Sequence, residues 1–505
     1  MLSTTRLVVV WIVLLLSHND YYPLVVVGLD NGLALTPPMG ISTWSVFRGE
    51  INHTLVIDLA DTIVDLEIFE AGYTYLLIDA GWSTNQPNCT SCLSNRNENG
   101  TLVIDTTKFP DLKATIDHVH ARGLKFGLWF GVEMCADTND EGSKAVLPKI
   151  ADKQPIDYAE EDAHFFAALG VDAIKHDNCN ELVPNTTEGL AHNYHKYERM
   201  SLALNQTGRP ILYDVTLQVN KPRSLPAYDY NYIWSPEPYG RDQVQRISHM
   251  WWSMPLNKYN CWRCYVHPQE NIVDDKDCNN PHKLAAWRGL LPTLDIQDLH
   301  TDGWQGHWDW AGRGKGWNHL DQLSVCTMGP SWYGPGLTKV EQVAQISLWA
   351  VMAAPLILSV DTRILNKGNF CHTLITNPLL IQVHQDELGI PGRPRINNYD
   401  NSLPQQDVAH MKTQVWARPL RRGQVAAVFF NRMHDGANIQ ATFEEVGLAP
   451  SVARVTVTNV WTHHVQQGVS SPLVVTSVVP HGVTFLILTP EAANDKVDYS
   501  TAKEE

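Results

Sequence analysis

The sequence predicts an α/β chain: a (β/α)8 TIM-type barrel followed by a C-terminal antiparallel β-sandwich. Three observations predict it. In the first half, short apolar runs alternate with amphipathic segments that end in glycine, the grammar of a parallel sheet with crossover helices. Aspartates recur just after those apolar runs, at Asp79, Asp177 and Asp214, and a barrel gathers every strand end around one mouth. Beyond about residue 395, short β segments separated by turns replace the alternation, as in a small all-β domain. The absence of a glycine-rich phosphate loop weakens a doubly wound sheet as the alternative.

Residues 1–28 read as a signal peptide. Arg6 precedes the apolar run Leu7 to Leu16, too short to span a bilayer, and polar Ser17 to Asp20 follow. A second apolar run, Leu24 to Val27, leaves the cleavage site open. Leu35 to Trp44 then opens the folded chain as a first strand. Thr54 is placed to cap a helix carrying Leu55, Leu59, Ile63 and Leu66, and Gly72 ends it. Tyr75 to Asp79 reads as a second strand. Leu112, Ile116 and Val119 mark a helix stopped by Gly123, and Leu124 to Phe130 is a third strand. Tyr158 to Leu169 is an amphipathic helix stopped by Gly170, and a fourth strand leads to Asp177. Ile211 to Val215 is a fifth.

Residues near 218–285 are rich in Pro, Tyr, Asn and Trp and hold Cys261, Cys264 and Cys278, so they read as a disulfide-tied insertion. Leu290 to Asp295 is the next strand candidate. Trp317 to Leu323 begins another, Val340 to Met352 is a helix, and Pro355 to Asp361 is the last barrel strand. The barrel thus covers 29–394. Gln414 to Arg418, Val425 to Phe430, Ala453 to Val460, Leu473 to Val479 and Val483 to Leu488 are strands of a sandwich over 395–493, and 494–505 is a polar tail.

A net charge of -16 without a long basic run argues against nucleic acid and anionic membrane as partners. Nine cysteines and five glycosylation sequons, at Asn52, Asn88, Asn99, Asn185 and Asn205, fit a secreted or lysosomal protein with no membrane span after signal cleavage. Cys261-Trp-Arg-Cys264 is read as disulfide chemistry in that setting. His118 and His120 stand just before a helix stop and read as surface residues favoured by the helix dipole. No cluster has zinc spacing, and neither metal nor cofactor is expected.

The chemistry centres on Ala173-Ile-Lys-His-Asp-Asn-Cys179, where a lysine and an aspartate arrive together at a strand's carboxyl end. Carboxylates at several strand ends suit glycoside hydrolysis, in which one carboxylate attacks or activates water and another protonates the leaving oxygen. A lysine two residues from one of them would hold it ionised.

With these residues in view, the chain resembles glycoside hydrolase family 27, the α-galactosidases and α-N-acetylgalactosaminidases. The resemblance rests on Leu35-Thr-Pro-Pro-Met-Gly40, Leu77-Ile-Asp79 with Trp82, Gly123 to Leu128, Ile174 to Cys179, Gly316 to Leu323, Leu348 to Leu356, His384 to Gly389 and Val415 to Leu420. It implies a retaining enzyme with Asp177 as nucleophile, Lys175 and Asp79 gripping the sugar, Trp129 beside it, and a Cys135–Cys179 disulfide.

Four departures from the family pattern stand out. Ala80 replaces the second of two aspartates, Ile41 a tryptophan, Asp214-Val-Thr216 a Cys-Glu-Trp run, and Asn318-His-Leu-Asp321 an Asn-Asp-Pro-Asp run. The acid/base position is irregular too. Asp295 is the first choice, with Arg288 reaching toward it; Asp298 and Glu237 follow. The expected partner is a glycan or small-molecule substrate, with a homodimer as the oligomer considered. The expected activity is removal of a terminal α-linked galactose-type sugar. The rivals are the same mechanism on an α-N-acetylgalactosaminide or a pentopyranoside, and a homologue that binds sugar without cleaving it; a metal-dependent barrel hydrolase stands behind them.

Overall fold

The computed structural model describes residues 31–83, 96–97, 99–131, 158–177, 187–216, 241–252, 264–265, 287–288, 290–298, 310–327, 336–399 and 411–491. Its centre is a parallel sheet of eight strands: β1 (Met39–Ser42), β2 (Tyr75–Ile78), β3 (Lys125–Gly131), β4 (Ala173–Asp177), β5 (Leu212–Val215), β6 (Met250–Trp252), β7 (Trp317–His319) and β8 (Leu356–Leu358). β8 pairs with β1, and the order then runs from β1 to β7. A parallel bridge between Leu323 and Leu358 joins the segment after β7 to β8 and brings the two edges together.

The helices that cover this barrel are α1 (His53–Asp65), α2 (Leu112–Ala121), α3 (Ala159–Leu169), α4 (Thr187–Gln206), α5 (Arg241–Ile247), α6 (Leu290–Asp298), α7 (Lys339–Met352), α8 (Phe370–Ile375) and α9 (Pro378–His384). Their stops follow the sequence signals: Gly170, just past α3, has φ 88°, a conformation that only glycine adopts cheaply. The cap of α1 differs from expectation. Asn52, not Thr54, accepts the Leu55 N–H at 2.9 Å, because Thr54 already lies inside the helix. Among the described residues no helix is long and apolar enough to cross a membrane.

Two-residue alternation sorts each strand. Leu76, Ile78, Phe126, Leu128, Phe130, Ile174, Tyr213, Val215 and Trp251 face the helices in the main core. Tyr75, Ala173, Leu212 and Met250 form a separate apolar plug with Leu77 inside the barrel. The interior is tight there: a Cβ on Gly127 would stand 2.3 Å from a Leu77 methyl. Along each strand, the next inward residue above this plug is polar or aromatic.

One expectation is corrected. Leu290 to Leu294 is not a strand but the start of α6. An apolar run with a proline at its third position suits a helix's first turn as well as a strand, and periodicity alone does not separate buried runs. The sixth strand is instead Met250–Trp252, inside the stretch expected to be an insertion, paired with β5 and β7. Trp287–Arg288 pairs antiparallel with Cys264–Tyr265, outside the barrel sheet.

The C-terminal unit has β9 (Arg393–Tyr399), β10 (Met411–Pro419), β11 (Val425–Asn431), β12 (Ala437–Ala441), β13 (Val455–Asn459), β14 (Val465–Val469), β15 (Leu473–Val478) and β16 (Val483–Pro490). Six form one sheet, in the order β9-β10-β11-β16-β13-β14, and β12 and β15 form another. β11 is buried on both faces. Val425, Ala427 and Phe429 fill the sandwich core, whereas Ala426, Val428 and Phe430 join the barrel's core. Arg418 of β10, fully buried, seals the junction by donating to the carbonyls of Ala350, Val383, His384 and Ile390 at 2.7–3.2 Å. It thereby caps the carboxyl ends of α7 and α9.

Candidate active site

The inward positions at the carboxyl ends of the strands converge on Lys175. Its Nζ donates to Asp79 Oδ2 at 3.0 Å and sits 4.6 Å from the centroid of the Trp252 ring. Burial pushes the Lys175 ammonium down, but Asp79, Asp177 and Asp321 together outweigh it and hold the group above its ordinary value. It is a permanent cation in a ring of carboxylates. Asp79 moves the other way: burial raises it above the ordinary carboxylate range, with Lys175 and the Ala80 N–H opposing and Asp177 adding to the rise.

Asp79 is held by its own backbone. Its N–H donates to Thr43 Oγ1 at 3.0 Å, and its Oδ1 accepts the Ala80 N–H at 2.9 Å. On β3, Trp129 donates its indole N–H to Asp177 Oδ2 at 3.1 Å. Trp82 in turn donates to the Trp129 carbonyl at 2.9 Å, which fixes that strand end. Lys175 and Asp177 share an inward face because they are two residues apart on β4, while His176 between them turns outward to Tyr213 at 2.6 Å. Burial pushes His176 down to about 3, so it is a neutral core residue.

The structure therefore brings Asp79, Lys175, Asp177 and Trp129 together. Asp295 is placed differently. It is buried on α6 and, among the described residues, pairs with Arg432, after β11, in an ion pair of 2.6 Å whose angles are not those of a directed hydrogen bond. Its expected position at a barrel strand end is thus corrected, since it lies within α6. The side chains of Arg288 and Asp298, together with Glu237, Cys135 and Cys179, lie outside the described residues.

Two site residues went unread in the sequence: Trp252, hidden in the stretch taken for an insertion, and His319, whose ring Nδ1 lies 2.8 Å from Asp214 Oδ2. The signal for both was the polar or aromatic residue at a strand's carboxyl end. His118 and His120 pair with Asp61 at 2.9 Å and Asp172 at 2.7 Å. Among the described residues, no group of three or more His, Cys, Asp or Glu is arranged to hold a metal ion.

Against known proteins, residues 36–255 and 284–386 match the family model described as alpha galactosidase A. Residues 411–488 match the alpha galactosidase C-terminal beta sandwich domain. The chain is 29% identical to Alpha-galactosidase 2 of Arabidopsis thaliana over 468 residues, 92% of each chain. It is 30% identical to Alpha-N-acetylgalactosaminidase of Gallus gallus, covering 92% of this chain and 96% of that one. Among solved structures, an α-galactosidase of Saccharomyces cerevisiae is similar with a TM-score of 0.67 at 25% identity, covering 91% of this chain and 99% of that one.

Proposed function

The chain belongs to glycoside hydrolase family 27, the α-galactosidase family, and on that premise we propose a retaining glycosidase acting on terminal α-linked galactose-type residues. One observation supports it above the others: Asp177 ends β4 on the same inward face as a lysine clamped to Asp79, with an indole N–H on its carboxylate. Asp177 attacks the anomeric carbon, the glycosidic bond breaks, and the sugar is held as an ester on its carboxylate. The Trp129 N–H orients that carboxylate. Lys175 and Asp79 are placed to hold sugar hydroxyls, the first as donor and the second as acceptor.

The leaving oxygen needs a proton from a second carboxyl group, about 5–5.5 Å from the nucleophile in a retaining enzyme. The candidates are Asp295, which lies opposite Arg432, and after it Asp298 and Glu237. The sugar has a second reading. Ala80 supplies no carboxylate beside Asp79, which removes an acceptor for the outer hydroxyls and favours a pentopyranoside or another α-glycoside.

A panel of nitrophenyl glycosides tests the sugar. A 2-deoxy-2-fluoro donor matched to the best substrate tests the mechanism, with adduct mass on the peptide containing Asp177 as the expected result. An adduct elsewhere, or binding without turnover on every sugar, refutes the reading.

A further inference from the structure

Three inward side chains have no role in the chemistry above: Asp214 of β5, Trp252 of β6 and His319 of β7. They form one contact cluster. His319 Nδ1 lies 2.8 Å from Asp214 Oδ2, and Trp252 donates its indole N–H to the same oxygen at 3.1 Å. The Trp252 and His319 rings meet edge to face at 4.8 Å. Among the described residues, Asp214 Oδ1 and His319 Nε2 have no hydrogen-bond partner, and both atoms are buried.

A buried carboxylate with an open acceptor is costly unless the groups it does hold matter. What Asp214 and His319 hold is the plane of the Trp252 indole. One fixes its N–H and the other abuts its ring. The Lys175 ammonium lies over that ring, and cation–π attraction needs the charge over the face. A tilted indole would withdraw the support.

We propose that Asp214 and His319 are positioning residues of the glycosidase site, which lock the Trp252 indole as the platform that holds the Lys175 ammonium against Asp79 and Asp177. This rests on the reading of the site given above. It also unites two departures from the family pattern, on β5 and β7, as one exchange: an aspartate on the first and its histidine partner on the second. Among the described residues, the charged groups that act on Lys175 include Asp79, Asp177 and Asp321, from the end of β2, from β4 and from the segment after β7. When the ammonium shifts, Asp79 loses the cation that favours its charged form, and the acid limb of kcat/KM moves to higher pH.

The test is His319→Leu, which removes the N–H toward Asp214, beside His319→Asn, which supplies another. In His319→Leu, kcat/KM is expected to fall about tenfold, within the worth of a desolvated cation–π contact. The acid limb is expected to rise by at least about half a pH unit. His319→Asn recovers most of both. Acetylation of Lys175 by acetic anhydride, read by peptide mass spectrometry, should rise severalfold in His319→Leu whether or not a substrate is known. Folded variants with wild-type acid limb and wild-type Lys175 labelling overturn the proposal. A wild-type protein inactive on every glycoside would instead refute the glycosidase reading, and the labelling would still decide the positioning role.

Discussion

Lys175→Met removes the cation of the site while keeping a long apolar stem. The wild-type ammonium lies 3.0 Å from Asp79 Oδ2, with both side chains almost wholly buried. At an effective dielectric of about 20, unit charges at that separation interact by about 5.5 kcal/mol, or about four pKa units. Relaxation and water entry reduce this, and a rise at Asp79 is the expected direction. Burial already raises Asp79, and Lys175 is the largest opposing influence; without it the group moves further up.

The variant should therefore show kcat/KM with its acid limb moved up by at least one unit. A group whose folded pKa is raised above its unfolded value favours the fold increasingly as pH falls toward that unfolded value. Relative to wild type, the variant's Tm should accordingly recover as pH is lowered from 7 to 5. The assays are a pH–rate profile on the substrate identified by the glycoside panel and a Tm series across the same pH values. An acid limb unmoved in a folded variant would refute the claim that Lys175 governs the charge of the site.

Asp295→Asn tests the first acid/base candidate: losing the charge opposite Arg432 should cost about 3–5 kcal/mol in stability by denaturant titration, and kcat of the folded fraction should fall about a thousandfold. An unchanged kcat would remove Asp295 from the role and bring Asp298 and Glu237 forward. Arg418→Met strips four buried carbonyls of their donor and should lower stability by about 3–5 kcal/mol, read as a drop in Tm with the barrel and sandwich uncoupled. His384 is fully buried and pushed down to about 3 by that burial, with its Nε2 2.8 Å from the Ala354 carbonyl. Its folded pKa is depressed, so its neutral form supports the fold above about pH 6.5 and that support is lost as pH falls toward 3. His384→Gln should therefore narrow its stability deficit against wild type by about 2.7 kcal/mol between pH 7 and pH 4.5; a constant deficit across that range refutes the assignment.

The barrel was legible because glycine stops and apolar runs are local signals. Gly123 and Gly170 punctuate helices wherever they fold, and the runs ending at Asp79 and Asp177 become strands in the chain order read from them. The failures share one cause. Leu290 to Leu294 is apolar enough for either a strand or a buried helix, and the choice was made by which segment reached the gap between β5 and β7. Met250–Trp252 took that place from within a stretch whose composition resembled a loop. Asp295, read as a strand end, went with its helix to Arg432.

What the sequence determined by itself is the inward face of β4. Lys175 and Asp177 are two residues apart, a strand repeats every two residues, and no folding of the rest could set them on opposite sides. Their partners were decided only in three dimensions. Asp79, Trp129 and Trp252 come from β2, β3 and β6, and no local pattern states that an indole N–H will meet Asp177 or that an indole face will lie under Lys175. Closure of the sheet sets those distances, because charge and hydrogen bonding act through space between strands far apart along the chain.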